Sequence, residues 1–161
     1  MLHLSHTNAQ WSLLIGRVLI GALFLMAGVQ KLMGGTEGLG GYIASGMPFI
    51  PAGMLTVVAI LVIAIEIVGG ALLILGYFTR KAACGLTLFT LIATVFFHPG
   101  WSQPDQMTMM LKNLAIVGGL LAYGAVGPGS LSLDTKVRGH RPLEPACPAH
   151  SNNMPSTPGG M

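Results

Sequence analysis

The chain has 161 residues, of which 52% are hydrophobic and only 8% are charged, and its mean hydropathy is +0.70. Soluble domains carry about 25% charged residues, so this composition excludes a protein whose surface faces mainly water. The net charge of +3 is spread over the ends of apolar segments and the C-terminal region, which argues against nucleic-acid binding. The two cysteines, Cys84 and Cys147, form no CxxC pair, so we predict no disulfide framework and no metal site.

Four apolar segments predict four transmembrane helices, because a run of about 20 apolar residues is long enough to span a bilayer. They cover approximately residues 11–33, 54–75, 82–97 and 107–126. Neighbouring helices joined by short connections run antiparallel. The predicted fold class is therefore an all-α, integral-membrane, antiparallel four-helix bundle within residues 1–134.

Two segments outside the spans have a different composition. Residues 34–53 are too rich in Gly and Pro for another span, and we expect them to lie against the membrane surface. Their glycines fit no G-x-G-x-x-G spacing, so they do not indicate dinucleotide binding. Residues 135–161 are polar and rich in Pro, Ser and Asn, which predicts a disordered C-terminal tail.

The distribution of basic residues predicts how the bundle is oriented. Four spans place both termini on one side of the membrane, and Lys and Arg collect in cytoplasmic segments. The N- and C-termini are therefore predicted to be cytoplasmic. The basic residues on that side are Arg17, Arg80, Lys81, Lys136, Arg138 and Arg141.

Helical spacing predicts which face of each span points inward. Polar or small residues recur at intervals of three and four, so they share one face. Small residues allow helices to approach closely, and threonine hydroxyls can bond across helices or to their own carbonyls. The predicted faces are Arg17, Gly21, Phe24, Gly28 and Lys31 in the first span; Ala59, Val62, Glu66, Gly69, Gly70 and Leu73 in the second; Arg80, Cys84, Thr87, Leu91, Thr94 and His98 in the third; and Thr108, Lys112, Ala115, Gly119 and Ala122 in the fourth.

Glu66 is an acid in the middle of the most apolar span. A charge at the bilayer centre costs about 3 kcal/mol on insertion scales, so such residues usually have a function. One hypothesis makes Glu66 a proton carrier, or a hydrogen-bond partner for a polar headgroup such as that of a quinone. The other makes it half of a buried ion pair with Arg17 or Lys112 that fixes how the helices dock.

Polar residues near the span ends that are predicted to lie on the non-cytoplasmic side form a second group. His98, Lys112 and Asn113 suit an anionic or quinone-like ligand, and Lys31 emerges at a similar level. The alternatives are interfacial snorkelling for Lys112 and helix termination for His98. Since the spans contain no metal-ligand or thiol pair, electrons in a redox reaction would pass through a diffusible quinone or a partner's cofactor.

A series of short motifs carries a family resemblance. In order they are R-x(10)-G-x-x-K, G-x-P, E-x-x-G-G, L-G-x-x-T-R, F-H, K-N-L-A-x-x-G-G-L-L and G-P-G-x-x-S-L-D. Together, over approximately residues 13–134, they resemble the DoxX family of small bacterial four-helix membrane proteins. The candidate residues at matching positions are Arg17, Lys31, Glu66, Arg80, His98, Lys112, Asn113 and Asp134.

The resemblance implies a multi-pass protein of the bacterial inner membrane that is tied to respiratory or thiol redox chemistry. The family's name is linked to a subunit of a thiosulfate:quinone oxidoreductase. We therefore hypothesise a component of a quinone-linked oxidoreductase, with Glu66 as the catalytic residue and the bilayer, a redox protein and other copies of the chain as partners. Lys31, His98, Lys112 and Asn113 are the candidate ligand-binding residues, and Arg17, Arg80 and Asp134 are candidates for structural pairing.

Two alternatives from other functional classes remain open at this point. The chain could be a non-catalytic scaffold or assembly subunit of a membrane redox complex, in which the ionic groups only hold the helices together. It could also be a small oligomeric transporter, which the central acid and the Gly-rich connection favour.

Overall fold

The structure is a computed structural model that describes residues 6–98 and 103–138. Within these residues the chain is helical and contains no strand. Four of the helices are long and apolar enough to cross a membrane, which confirms the predicted four-helix membrane fold. The helices are α1 (His6–Met33), α2 (Thr36–Gly46), α3 (Leu55–Leu75), α4 (Thr79–Phe97), α5 (Pro104–Val126) and α6 (Leu133–Arg138), with a 3-10 turn at Ala52–Met54.

The four long helices form a ring in chain order. Helix α1 packs most extensively against α3, α3 packs against α4, α4 against α5, and α5 meets α1 over a smaller contact. Helix α2 packs on α3 and α1. We call the end where α1 begins and α5 ends the termini end, and the end covered by α2 the α2 end.

Glycines bring α1 and α3 close together. A Cβ atom on Gly21 would lie 2.8 Å from the Gly70 carbonyl oxygen, and one on Gly70 would lie 2.7 Å from the Gly21 carbonyl oxygen. Nearer the α2 end, a Cβ on Gly28 would lie 3.0 Å from Cβ of Glu66. Small residues permit such close backbone approach between membrane helices. The inward faces predicted for the first two spans are confirmed.

The buried faces of α4 and α5 differ from the predicted ones. In α4 the buried residues lie about one position earlier, and the predicted Cys84 and Leu91 are exposed. In α5 the predicted face is wrong in part, since Thr108, Ala115 and Ala122 are exposed, whereas Gly119 is half-buried. The buried residues are Thr79, Ala83, Leu86, Thr87 and Thr90 in α4 and Val117, Leu120 and Tyr123 in α5.

Packing volume and internal hydrogen bonds explain this difference. The centre of the bundle is filled by large side chains, among them Leu86, Leu120 and Tyr123. The hydroxyls of Thr87 and Thr90 donate to carbonyl oxygens of their own helix, at 2.8 Å and 2.7 Å. They therefore need no partner on another helix, and polarity does not select the face that packs.

The segment after α5 closes the termini end of the bundle. Arg17 is buried and donates to the carbonyl oxygens of Pro128 and Leu131, at 2.8 Å and 2.9 Å. The Asp134 carboxylate accepts hydrogen bonds from the backbone N–H groups of Phe78 and Thr79, at 3.0 Å and 2.9 Å. Asp134 thus occupies the start of α4, which begins three residues earlier than predicted.

Helix α6 also changes the boundary of the predicted tail. Disorder was expected from residue 135 onward, but α6 continues through Arg138. The remaining predicted tail, residues 139–161, lies outside the described residues.

The Gly-rich connection folds at the α2 end. Helix α2 has 11 residues, about 16 Å at 1.5 Å per residue, which is too short to span a bilayer. Its residues Gly40 and Ile43 are buried, and the ring of Tyr42 stacks on Phe97 at a centroid distance of 4.8 Å. Contact of this segment with the membrane surface stays a prediction.

Candidate functional site

A cavity of about 730 Å³ lies among the helices in the half of the bundle nearer the α2 end. Side chains from α1, α2, α3, α4 and α5 line it, and most of them are apolar. Among the lining residues, Ile43, Glu66 and Thr90 are buried, whereas Lys112 is exposed. The protein therefore contains an apolar chamber with a small number of polar groups in its walls, which is the usual character of a small-molecule site.

Lys31 and Glu66 form an ion pair in the wall of this cavity. The Lys31 ammonium lies 2.7 Å from both carboxylate oxygens of Glu66. The Glu66 side chain is 6% exposed and that of Lys31 is 32% exposed. An ammonium has three N–H donors, so two of them satisfy Glu66 and one is left for a ligand.

The partner of Glu66 differs from the one we predicted. The sequence suggested Arg17 or Lys112, but the close packing of α1 on α3 at Gly28 brings Lys31, one turn further along α1, over the carboxylate. Arg17 is held at the termini end by backbone carbonyls. Lys112 lies on α5 and lines the same cavity.

Three further predicted residues lie in the walls contributed by the end of α4 and by α5. His98 Nδ1 is 2.8 Å from Gln106 Oε1, and an amide oxygen only accepts, so Nδ1 is the donor and Nε2 takes no part in this hydrogen bond. Lys112 Nζ lies 3.1 Å from the Met109 sulfur, a weak acceptor. Asn113 is half-buried beside Lys112. Each of these side chains therefore retains capacity to bind a ligand.

The structure thus divides the predicted residues into two groups. Lys31, Glu66, His98, Lys112 and Asn113 line one cavity. The second group, which does not line the cavity, is Arg17, Arg80 and Asp134. Arg17 and Asp134 instead make the structural contacts at the termini end described above.

Sequence reasoning missed two polar residues of the cavity. Gln30 lines it from the last turns of α1, and an amide so close to the end of an apolar span was the signal that could have found it. Thr90 lines it from α4 and is buried. The sequence analysis assigned Thr87 and Thr94 to the inward face of α4 and passed over Thr90 between them. The buried face of α4 is rotated slightly from the predicted one, so Thr90 is the threonine that lines the cavity.

The arrangement can hold a molecule with an apolar body and oxygen acceptors. The ammonium groups of Lys31 and Lys112 and the amide of Asn113 supply donors, and the Glu66 carboxylate is a proton acceptor. Within the described residues no three His, Cys, Asp or Glu side chains come close enough together to hold a metal ion. The chemistry that these residues can supply is hydrogen bonding, charge stabilisation and proton exchange.

Comparison with known proteins assigns the chain to a family. The profile of the DoxX family matches residues 12–99, which is more than half of the chain. The chain belongs to the DoxX family. This match includes Lys31, Glu66 and His98, whereas Lys112 and Asn113 lie beyond it.

Two relatives of this DoxX protein come from Escherichia coli K12. The inner membrane protein YqjF is 36% identical over 127 residues, covering 75% of this chain and 88% of the relative. The inner membrane protein YphA is 33% identical over 129 residues, covering 77% and 89%. No solved structure matches the chain significantly. With four helices able to span a bilayer, the DoxX protein is a multi-pass protein of the bacterial inner membrane.

Proposed function

We propose that this DoxX protein binds the headgroup of a quinone in its cavity and serves as the quinone-binding component of a membrane oxidoreductase. The observation that carries the proposal is the placement of five polar residues around one apolar chamber. They are Lys31, Glu66, His98, Lys112 and Asn113.

The residues of the cavity fit a quinone. Its ring is flat and apolar, and its two carbonyl oxygens accept hydrogen bonds. The remaining N–H of Lys31, the ammonium of Lys112 and the amide of Asn113 are donors suited to those oxygens. The apolar side chains of Phe89 on α4 and Ile116 on α5 line the cavity. When bound, a quinone supplies a carrier for two electrons and two protons.

Glu66 is the proton acceptor in this proposal. Its carboxylate is buried, so it would be costly to keep charged without a partner, and the Lys31 ammonium provides one at 2.7 Å. If Glu66 accepts a proton from a headgroup in the cavity, the Lys31 ammonium loses its counter-charge and would stabilise the negative charge left on the headgroup oxygen. The electrons are assigned to a redox centre on a partner protein.

The ion pair also favours a second candidate, a non-catalytic scaffold of a membrane redox complex. Both oxygens of Glu66 are already satisfied by Lys31, so the pair could serve only to fix α1 on α3. In that case no quinone binds, and the function resides in lipid-facing helix surfaces that dock on a larger complex.

The test measures quinone bound to the protein purified from bacterial membranes in mild detergent. Small molecules are extracted and quantified by mass spectrometry for the wild type, Glu66→Gln and Lys112→Ala. Stoichiometric quinone is expected in the wild type, and each variant should retain at least tenfold less, since a lost charged hydrogen bond is worth about 1.5–3 kcal/mol.

Matched controls remove the same charges elsewhere. Glu37 on α2 and Lys136 on α6 are exposed and do not line the cavity, so Glu37→Gln and Lys136→Ala should bind quinone as the wild type does. Quinone in none of the samples, even after addition of excess quinone, would contradict the proposal. A respiratory or thiol-redox enzyme that co-purifies with such a quinone-free protein would support the scaffold.

A further inference from the structure

The walls of the cavity are unequally exposed. On α3 and α4 the polar lining residues Glu66 and Thr90 are buried. On α1, by contrast, Leu19, Leu23 and Met26 line the cavity and are 66%, 42% and 62% exposed. Helices α3 and α4 therefore form the floor, and α1 contributes an exposed, apolar rim.

Contacts between α1 and α5 show where this rim opens. Near the termini end the Tyr123 hydroxyl donates to the Leu13 carbonyl oxygen at 2.9 Å. Further along, a Cβ on Gly119 would lie 2.9 Å from the Ile20 side chain. These contacts hold the two helices together on the side of the cavity toward the termini end.

Toward the α2 end the same two helices face each other across the cavity. Leu23 and Met26 on α1, and Asn113 and Ile116 on α5, line it. Leu23 lies one turn beyond Ile20 and Ile116 one turn before Gly119, so about one turn beyond the Ile20–Gly119 contact the cavity leaves a gap between the two helices. The gap lies within the apolar spans of both helices and therefore faces hydrocarbon.

We propose that the gap between α1 and α5 is a lateral portal to the bilayer, through which the headgroup of a lipid enters while its apolar tail stays between the two helices. The identity of the headgroup, a quinone, rests on the proposed function. The portal adds that the ligand is a membrane quinone with a long apolar tail. The side of the gap that α1 contributes is formed by the apolar side chains of Leu19, Leu23 and Met26, which suit an apolar tail. In the bilayer this rim contacts hydrocarbon in any case, so the apolar tail of a ligand can replace a lipid chain there without exposing apolar surface to water.

The experiment labels the tail directly in lipid nanodiscs. One probe is a benzoquinone with a ten-carbon tail that carries a diazirine, and the second is a fatty alcohol with the same diazirine and no quinone. After photolysis the labelled residues are mapped by mass spectrometry. We expect the quinone probe to label α1 between residues 19 and 26 and α5 between residues 113 and 116.

Two tryptophan variants serve as a matched pair. Leu23→Trp places a large ring in the portal and should reduce labelling of these segments at least fivefold. Leu32→Trp makes the same change on the same helix, at an exposed residue outside the cavity. Residues 23 and 32 are nine positions apart, which places them on opposite sides of a helix with 3.6 residues per turn, so Leu32→Trp should label as the wild type does.

The outcomes separate this inference from the proposed function. If the fatty alcohol labels the portal and the quinone does not bind, the portal stands and the quinone assignment falls. If the quinone binds but the tail labels other faces, or Leu23→Trp changes nothing, the portal is wrong and the proposed function stands. A disulfide-linked dimer formed readily by Leu23→Cys, with no tail labelling, would show that a second copy covers the gap and would overturn the portal.

Discussion

Lys31 and Glu66 show how a membrane interior can hold a carboxylate. Both oxygens of Glu66 accept hydrogen bonds from one ammonium at 2.7 Å, so neither oxygen is left without a partner. A buried pair contributes little net stability compared with an apolar pair, but removal of one partner leaves a costly unpaired charge. Replacing one residue of the pair should therefore lower the free energy of unfolding more than replacing both with apolar residues.

Lys31→Met is expected to destabilise the protein by about 2 kcal/mol, because it leaves the Glu66 carboxylate unpaired. This is less than the cost of breaking a fully buried ion pair, because Lys31 is partly exposed. The double variant Lys31→Met/Glu66→Met should recover to within about 1 kcal/mol of the wild type. The free energy of unfolding is measured by titration with a denaturing detergent. Lys136→Met is the control for loss of an exposed lysine and should be neutral. A double variant as unstable as Lys31→Met would contradict the unpaired Glu66 carboxylate as the cause of the lost stability.

Arg17 is a second buried cation, and its surroundings explain why it does not pair with Glu66. Its side chain is 1% exposed, and its two terminal nitrogens donate to the carbonyl oxygens of Pro128 and Leu131. Those carbonyls belong to the segment that closes the termini end. Arg17 thus joins that segment to α1, at a level of the bundle that the cavity does not reach.

At the scale of helices, the α1–α3 contact is the part of the bundle with the least room. At the crossing of Gly21 and Gly70 the two backbones approach so closely that a side chain on Gly70 would meet the Gly21 carbonyl oxygen at 2.7 Å and the Leu25 nitrogen at 2.8 Å. Backbone atoms cannot move aside as a flexible side chain can. The same contact sets the position of Lys31 over Glu66, so the ion pair depends on it.

Gly70→Ala is therefore expected to destabilise the protein by about 1–3 kcal/mol, the usual cost of an overpacked core. Gly118→Ala is the matched control, because Gly118 also lies within a span and a Cβ there meets no atom within 4 Å. The control should be neutral or stabilising by up to about 1 kcal/mol, through helix propensity alone. Thermal unfolding of the purified proteins measures both changes, and equal effects at the two positions would contradict the close contact of α1 and α3.

The element whose packing sequence reasoning missed is α5. Its small and polar residues, such as Ala115 and Lys112, are exposed, and its larger residues Leu120 and Tyr123 are buried. Small residues mark a buried face only where two helices cross closely, as α1 and α3 do. Helix α5 instead packs on α4 through larger side chains. Of its small residues, Gly119 approaches Ile20 on α1, whereas Ala115 and Ala122 are exposed.

For the molecule as a whole, orientation in the membrane follows from charge. The termini end has Arg80, Lys81 and Lys136 among its basic residues, whereas Glu37 and Asp105 lie at the α2 end. Positive residues are retained on the cytoplasmic side. The prediction remains that both termini are cytoplasmic, which would place the cavity in the half of the membrane nearer the periplasm.

Cysteine labelling in intact cells tests this orientation. Ser45 on α2 and Ser130 after α5 are both exposed and lie at opposite ends of the bundle. In a chain with Cys84 and Cys147 replaced by alanine, a membrane-impermeant maleimide that crosses the outer membrane should label Ser45→Cys in intact cells. It should label Ser130→Cys only after the inner membrane is permeabilised, and the reverse pattern would contradict the predicted orientation.

The sequence by itself determined the membrane, the four spans and five of the polar residues that line the cavity. These properties depend on local hydrophobicity and on residue type, and both can be read along one chain. It also determined the inward faces of α1 and α3, where the glycines at the crossing of the two helices and Glu66 are buried together.

Only the tertiary structure decided which of these residues meet. The pairing of Glu66 with Lys31, rather than with Arg17 or Lys112, depends on how closely α1 packs against α3. The cavity that residues of α1 and α5 line depends on how far apart these helices lie, and spacing within each helix carries no information about the distance between them. Side-chain volume, backbone approach and the closing segment at Asp134 set those distances, so the cavity appears only when the helices are packed.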